Sequence, residues 1–174
     1  MTTKRVEPVT IRKTSLSDLE AVCRIYEEAR VFMRDSGNPD QWKGVHPSQE
    51  QIISDIEAGL SYVCILDDKV AAVFYFAIEN EPTYGKIDGS WLNSDPYGVV
   101  HRIAANRSAK GAGGLCLEWC YEQCLNLRID THRDNAPMRR LLDKLGFTYC
   151  GIVWMENGDE RLAFHKVAGC EVRL

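Results

Sequence analysis

Between the apolar run Val99–Ala105 and the apolar run that begins at Leu115 lies a side-chain-poor turn, Gly111-Ala112-Gly113-Gly114, preceded by Lys110. Such a turn between a strand and a helix bares several backbone N–H groups at the positive end of a helix dipole, where a phosphate or diphosphate can sit. His101 lies in the strand before the turn, and His132 follows the next apolar run. Imidazole is the side chain that exchanges protons near neutral pH, so the segment pairs an anion cradle with possible proton carriers. A P-loop would end in Gly-Lys-Ser/Thr, whereas here the lysine precedes the glycines and Leu115 follows them. A dinucleotide fold would carry its glycines near the start of a βαβ unit, with an acid at the tip of the next strand. Asp130 has the right type for that acid, but the turn falls in the second half of a chain too short for six parallel strands.

Cys116, Cys120 and Cys124 recur every four residues and so share one helix face. As thiolates they would suit a metal, yet no His is interleaved and their neighbours are Leu115, Leu117, Trp119 and Leu125, which reads as small apolar packing. Seven cysteines, an odd number with no CxxC pair, argue against a disulfide framework, and no metal site is expected.

The elements that must carry these groups follow from periodicity. Val9–Lys13 reads as a strand, and Ser15-Leu16-Ser17-Asp18 as a capping box in its Asp form. Leu19, Val22, Cys23, Tyr26, Ala29 and Met33 then recur at helical spacing until Ser36-Gly37-Asn38-Pro39. After a loop holding Trp42 and His46, Pro47–Gln51 starts a second helix that runs through Ala58 and closes at Gly59. Tyr62–Leu66 and Val70–Ile78, joined at Asp67-Asp68, stand at hairpin spacing. Residues 80–98 have no clear period but hold Tyr84, Trp91 and Tyr97, so they form a long loop expected to line a pocket. A strand 99–105, a helix 114–127, a strand near 128–131, a helix near 136–145 and strands near 148–154 and 161–167 complete the chain. Alternation along 99–105 puts Val99, His101, Ile103 and Ala105 on one face.

The composition of 174 residues, 45% hydrophobic and 26% charged, suits one domain over 1–174 with a full core. A net charge of −4 argues against a nucleic-acid partner. No run of eighteen apolar residues occurs and the start MTTKRVEPVT lacks a signal segment, so a cytoplasmic protein with no membrane partner is expected.

Order and motifs together resemble the GNAT superfamily of acyl-CoA-dependent N-acyltransferases, across almost the whole chain. The strand ending Ile103-Ala104-Ala105 looks like that family's fourth strand, whose backbone pairs with pantetheine amides. Ser108-Ala-Lys-Gly111-Ala-Gly113 resembles its pyrophosphate motif, Gln/Arg-x-x-Gly-x-Gly/Ala, and Asn135 through Leu145-Gly146-Phe147 resembles its Asn…(Tyr)-Glu-Lys-Leu-Gly-Phe segment. The resemblance implies an α/β fold, a GNAT-like mixed central β-sheet with a splayed strand pair and helices on both faces. It assigns to the cofactor the backbone of Ile103, Ala104 and Ala105, the N–H groups of Lys110, Gly111, Ala112, Gly113, Gly114 and Leu115, and Asn135 with Met138. Arg107, Lys110, Arg133, Arg139 and Arg140 are cations available to the adenosine-side phosphates. Two positions depart from the pattern: Ser108 stands where Gln or Arg is usual, and Leu142 where many relatives place a Tyr that protonates the departing thiolate.

The implied activity is transfer of an acetyl group from acetyl-CoA to a primary amine of a small molecule or protein, direct and without metal. Such transfer needs a neutral amine, a path for its proton and donors for the oxyanion. His101 is the first candidate base, at a position where arylalkylamine acetyltransferases of the superfamily also carry His, and His132 is the second. Trp42, His46, Tyr84 and Trp91 are the candidate acceptor pocket, whose aromatic walls suit an apolar or cationic amine. A backbone N–H near Ile103 would hold the oxyanion, as in the family. The missing phenol keeps a non-catalytic acyl-CoA sensor open as an alternative, and the glycine turn an ATP binder. A homodimer is left open.

Overall fold

The computed structural model describes residues 9–169; the N-terminal residues on which the expected absence of a signal segment rests, and Cys170, lie outside them. Its elements are β1 (Thr10–Lys13), α1 (Leu19–Asp35), α2 (Gln49–Glu57), β2 (Ser61–Leu66), β3 (Lys69–Ile78), β4 (Asp88–Gly89), β5 (Gly98–Ala105), α3 (Ala112–Cys124), β6 (Asn126–Thr131), α4 (Ala136–Lys144), β7 (Thr148–Trp154) and β8 (Glu160–Val167). The strands form one sheet in the order β1-β2-β3-β5-β6-β8-β7-β4, antiparallel except for the β5–β6 pair. Among the described residues no helix is long and apolar enough to cross a membrane.

Local chemistry starts and stops these elements largely as the spacing predicts. The Asp18 carboxylate takes the Ser15 N–H at 2.8 Å and both ends of the Arg12 guanidinium, and Ser48 Oγ accepts the Gln51 N–H at the head of α2. Asp67 and Asp68 both have positive φ, 50° and 58°, as a two-residue turn of the primed type requires. Two boundaries differ. α3 ends at Cys124, because Leu125 turns left-handed (φ 52°) with its N–H on Tyr121 O at 2.7 Å, so Leu127 belongs to β6. The 80–98 loop contains a short turn of helix, Pro82–Tyr84, and the two-residue edge strand β4.

Three apolar clusters glue the layers. α1 and α2 set Val22, Ile25, Tyr26, Ile52 and Ile56 against Val63, Val73 and Ala104 on one face of the sheet. The opposite face receives Cys116, Leu117 and Cys120 of α3 and Leu142 of α4, against Phe74, Phe76, Val100, Leu127 and Ile129. α3 is apolar nearly all round because sheet and α4 both cover it. The cysteine stripe is thus core packing, and burial pushes the Cys120 thiol well above its ordinary pKa. Beside α1 and α2, the 80–98 loop folds Tyr84 and Tyr97 down on Val99, Cys150, Val153 and Ala163 as a third cluster.

β5 organises the rest. It pairs with β6 only at Gly98↔Leu127 and Val99↔Arg128, after which the two parallel strands part. On its other side, Tyr75↔His101 and Val73↔Ala104 bracket two steps of β3 against three of β5, a bulge centred on Arg102 (φ 49°). The bulge corrects the simple alternation. Val99 lies in the loop cluster and Ala104 against α1 and α2, while Val100, Ile103 and Ala105 all pack toward α3. His101 therefore does not share a face with Ile103 and Ala105. A left-handed non-glycine residue costs about 1–3 kcal/mol and persists only where neighbours over-determine it. Here Tyr26 OH donates to Arg102 O (2.7 Å), and Asp55 takes the guanidinium with two bonds of 2.9 and 3.0 Å.

Gly98 marks the closed end of the splayed pair. A Cβ there would stand 2.8 Å from Cys124 Sγ, 2.8 Å from the Phe76 ring and 3.2 Å from Leu127 Cδ1, all in packed surroundings. Gly98→Ala is expected to lower stability by roughly 1–3 kcal/mol in denaturant titration, as overpacking does. An unchanged midpoint would show that β5 and β6 tolerate a wider closed end.

Candidate active site

A cleft of about 770 Å³ opens where β5 and β6 part. Its walls come from the end of α1 (Phe32, Met33), the following loop (Gln41, Trp42, His46), α2 (Asp55), the β3 end and its loop (Tyr75, Glu79, Glu81, Thr83), and α4 (Met138, Leu141). β5 contributes Val100–Ala105, β6 contributes Ile129–Thr131, and Arg107, Gly113, Asn135, Met155 and Arg161 also line it.

The glycine turn meets this cleft at the head of α3. Gly111 has φ 85°, which explains one glycine by conformation. A Cβ on Gly113 or Gly114 would only touch Leu141 at 3.7 and 3.5 Å, so the chain's own packing does not require either of them. Two glycines in a first helical turn cost about 0.5–1 kcal/mol each relative to Ala. They leave backbone that a ligand can approach closely. Not all the N–H groups assigned to the cradle are free: Ala112 N–H donates to Ala109 O (3.2 Å) and Leu115 N–H to Gly111 O (3.1 Å). Gly113 and Gly114, in the unpaired first turn, are the donors that remain within α3.

At the other part of the cleft, His101 Nε2 stands 2.9 Å from Glu81 Oε2. Glu81 Oε1 accepts the Thr83 N–H (3.1 Å) and hydroxyl (2.9 Å). The His101 contact above all, with these bonds, holds the Glu81 carboxyl down at about 2, below the usual range, so it is ionised at neutral pH. Tyr75, opposite His101 across the β3–β5 pair, donates its OH to Glu79 at 3.0 Å, and burial with that bond raises its pKa. Asp130 of β6 accepts the Tyr84 OH at 2.7 Å. Gln41 ties loop to strand: its Oε1 accepts Asn135 Nδ2 (2.9 Å), Thr131 Oγ1 (3.4 Å) and the His132 N–H (3.4 Å).

Of the residues singled out by sequence, His101, Ile103, Ala104, Ala105, Gly113, Asn135, Met138, Trp42 and His46 line the cleft. Burial and the nearby Arg102, Arg161 and Arg30 lower the His46 pKa. Asn135 spends its amide inside the protein, capping α4 through Met138 N–H (3.2 Å) and holding Gln41. His132 does not line the cleft; its Nδ1 accepts the Asp134 N–H at 3.2 Å, and burial lowers its pKa. Tyr84 and Trp91 are corrected from pocket walls to loop core. Tyr84 is 2% exposed, and Trp91 lies against it and under the Arg128 guanidinium. Cys150, which sequence spacing leaves as a conceivable thiol for a covalent route, lies in the same cluster with its pKa raised by burial, which argues against it as a poised thiolate. Arg133 pairs with Glu160 rather than standing free for phosphate. Leu142 is fully buried.

Gln41, Asp55, Tyr75, Glu79, Glu81, Arg102 and Arg161 were not singled out as site residues by sequence, and Asp130 was weighed only as the acid of a dinucleotide fold. The available signal was Glu79 and Glu81, two carboxylates spaced to project together just past the end of a strand.

No protein-family model and no curated protein matches this chain. Solved structures do. A GNAT-family acetyltransferase from Streptococcus agalactiae is 32% identical over 91% of this chain and 95% of its own, with a TM-score of 0.84. A GNAT-family acetyltransferase from Listeria monocytogenes (17% identity, 95% and 98% covered, TM-score 0.66) shares the fold. So does AAC(6')-Ib in complex with ribostamycin and coenzyme A (19%, 93% and 94%, TM-score 0.63). The chain belongs to the GNAT family of acetyltransferases, and its chemistry at family level is acyl transfer.

Glu79, Glu81 and His101 each offer a ligand atom within 4.8 Å of the others, a set that sequence spacing did not foresee. Two of these three already satisfy each other, and the third holds the Tyr75 hydroxyl. Dialysis against EDTA is therefore expected to leave the melting temperature unchanged. A fall that added divalent cation restores would make the trio a metal centre.

Proposed function

We propose that the protein transfers an acetyl group from acetyl-CoA directly to a primary amine held in the cleft with it. The observation that carries this reading is the parting of β5 and β6 beside the glycine turn. Unpaired strand edges offer N–H and C=O groups to an extended, amide-bearing ligand, and the head of α3 offers N–H groups to its diphosphate. Gly113 and Gly114 put no side chain of their own over those N–H groups. Arg107, whose guanidinium lies over the Phe32 ring at the cleft, supplies a cation for the phosphates.

In this reading the acceptor amine meets the His101–Glu81 pair. Ionised Glu81 accepts from Nε2–H of His101, which leaves Nδ1 as the basic nitrogen to take the amine proton. Glu81 then steadies the imidazolium. The amine nitrogen forms a bond to the thioester carbonyl carbon, the Ile103 N–H holds the oxyanion, and the C–S bond breaks as the oxyanion collapses. The thiolate departs and is protonated by solvent or by the proton that His101 has gained, since buried Leu142 offers none. A non-catalytic acyl-CoA sensor draws support from that same Leu142, and is distinguished by binding without turnover.

Calorimetric titration should find acetyl-CoA and CoA bound and ATP silent. Gly113→Asp should weaken acetyl-CoA by about tenfold or more, by placing a like charge and a side chain against the diphosphate. Unaltered affinity would move the diphosphate elsewhere. His101→Ala should lower kcat by about a hundredfold or more while the acetyl-CoA KM holds, the pattern of a lost general base. An undiminished kcat would leave the proton to water.

A further inference from the structure

Arg161 has no place in the mechanism above, yet it is 8% exposed and lines the cleft. Its guanidinium reaches only backbone oxygens, Glu160 O at 3.0 Å and Gln41 O at 3.4 Å. Among the described residues no carboxylate comes within 4.0 Å of it. The acids nearby are engaged otherwise: Glu160 with Arg133, Asp159 with Lys43 at 3.5 Å, and Asp130 with the Tyr84 OH. The half-buried cleft guanidinium of Arg102 is matched by Asp55 with two bonds, and buried Arg128, under the loop, is covered by the Trp91 and Tyr97 rings. A charge kept nine-tenths out of water with no carboxylate in contact is expensive, although Asp159 feels its field, and a planar guanidinium is built to take a carboxylate with two parallel bonds.

The sheet says which substrate would supply that carboxylate. Arg161 pairs across strands with Val153, and Ala163 is two residues on; both belong to the cluster under the 80–98 loop. Arg161 therefore lies on the loop face. His101, two residues after Val99 and before the bulge, lies on that face too, with Tyr84 6.3 Å from its ring. α3 and α4, which carry the glycine turn, cover the opposite face. Arg161 is thus placed away from the diphosphate and on the side of the acceptor. β6 alone separates β5 from β8, and because β5 and β6 part beyond Val99 the span exceeds the roughly 10 Å of two ordinary strand spacings. Side chains from both strands can reach the two ends of one small molecule across it.

We propose that the acceptor is an amine that also carries a carboxylate, its amine at His101 and Glu81 and its carboxylate on Arg161. The proposal rests on the acetyltransferase reading above and adds the acceptor's chemical class. It makes Arg161 a specificity residue rather than a catalytic one.

The experiment measures CoA release with matched probes: phenylalanine against phenethylamine, and 4-aminobutyrate and 6-aminohexanoate against butylamine and hexylamine. Wild-type protein, Arg161→Gln and Arg161→Lys are compared, with acetyl-CoA binding measured on each. The expected result is a kcat/KM at least about tenfold higher for a carboxylate-bearing probe than for its partner, a difference of about 1.4 kcal/mol. Arg161→Gln should erase that preference through the acceptor KM, with acetyl-CoA affinity unchanged, and Arg161→Lys should restore part of it. A merely structural arginine would shift both members of each pair alike, which overturns the proposal. Acetyl-CoA binding with preference for the bare amines, or with no carboxylate-bearing probe acetylated, also overturns it and leaves the acetyltransferase reading standing. Loss of acetyl-CoA binding in the wild-type protein overturns that reading instead, and the proposal falls with it.

Discussion

After Val99 and Arg128, β5 and β6 share no further ladder, and the rest of the site depends on keeping them apart. Backbone groups left unpaired within a fold are costly unless water or a ligand meets them, so a splayed pair closes unless something prevents it. Gly98 holds the closed end tight against Cys124, Phe76 and Leu127. The bulge at Arg102, gripped by Tyr26 and Asp55, turns β5 away from regular pairing, and Gln41 gathers Thr131, His132 and Asn135 at the far end of β6. Local strain at Arg102 is thus offset by bonds to two helices, which fix the mouth of the cleft relative to α1 and α2.

The split also separates two kinds of electrostatics. On the α3 side the cleft meets a helix N-terminus, favourable to anions, while Arg107 lies over the Phe32 ring of α1 at the cleft. On the loop side the charges come as matched sets, Asp55 with Arg102, Glu81 with His101 and Asp130 with the Tyr84 hydroxyl, so a ligand there meets oriented groups rather than a net field. Among the described cleft-lining residues of that side, Arg161 departs from this matching, as does Arg128 beneath the loop, which lies against the Trp91 and Tyr97 rings instead of a carboxylate. An acyl donor approaching from one face and an amine from the other would meet only where the sheet is open.

Sequence spacing carried what is local. Caps at Asp18 and Ser48, the hairpin at Asp67-Asp68 and the glycine turn at the head of a helix are all decided within a few residues, and they stand where spacing puts them. The bulge escaped because period-two alternation assumes a regular strand, and one extra residue at Arg102 sends Ile103 and Ala105 to the face that alternation denies them. The loop aromatics misled for a related reason. Tyr84 and Trp91 look alike in sequence whether they wall a pocket or fill a core; contact with Asp130, Arg128 and His165, 46, 37 and 74 positions away, decides for the core. Glu81 and His101, 20 apart, and Arg161 and Gln41, 120 apart, are paired only by topology.

The buried Leu142 shows what the fold can omit. Acetylation of an ammonium ion yields an amide, a thiol and one net proton, so the amine releases two protons in all and the departing sulfur needs one. A thiol with an ordinary pKa near 8.5 is a stable enough anion to leave without a donor bonded to it in advance. Removing the amine proton has no such latitude, because a protonated amine has no lone pair with which to attack. A site of this kind keeps its base and its counter-ion before it keeps its acid. In the proposed mechanism the cleft has that order: His101 and Glu81 stand together at its wall, while the α4 position that the family resemblance would give a phenol is held by Leu142 and the packing of α4 on the sheet.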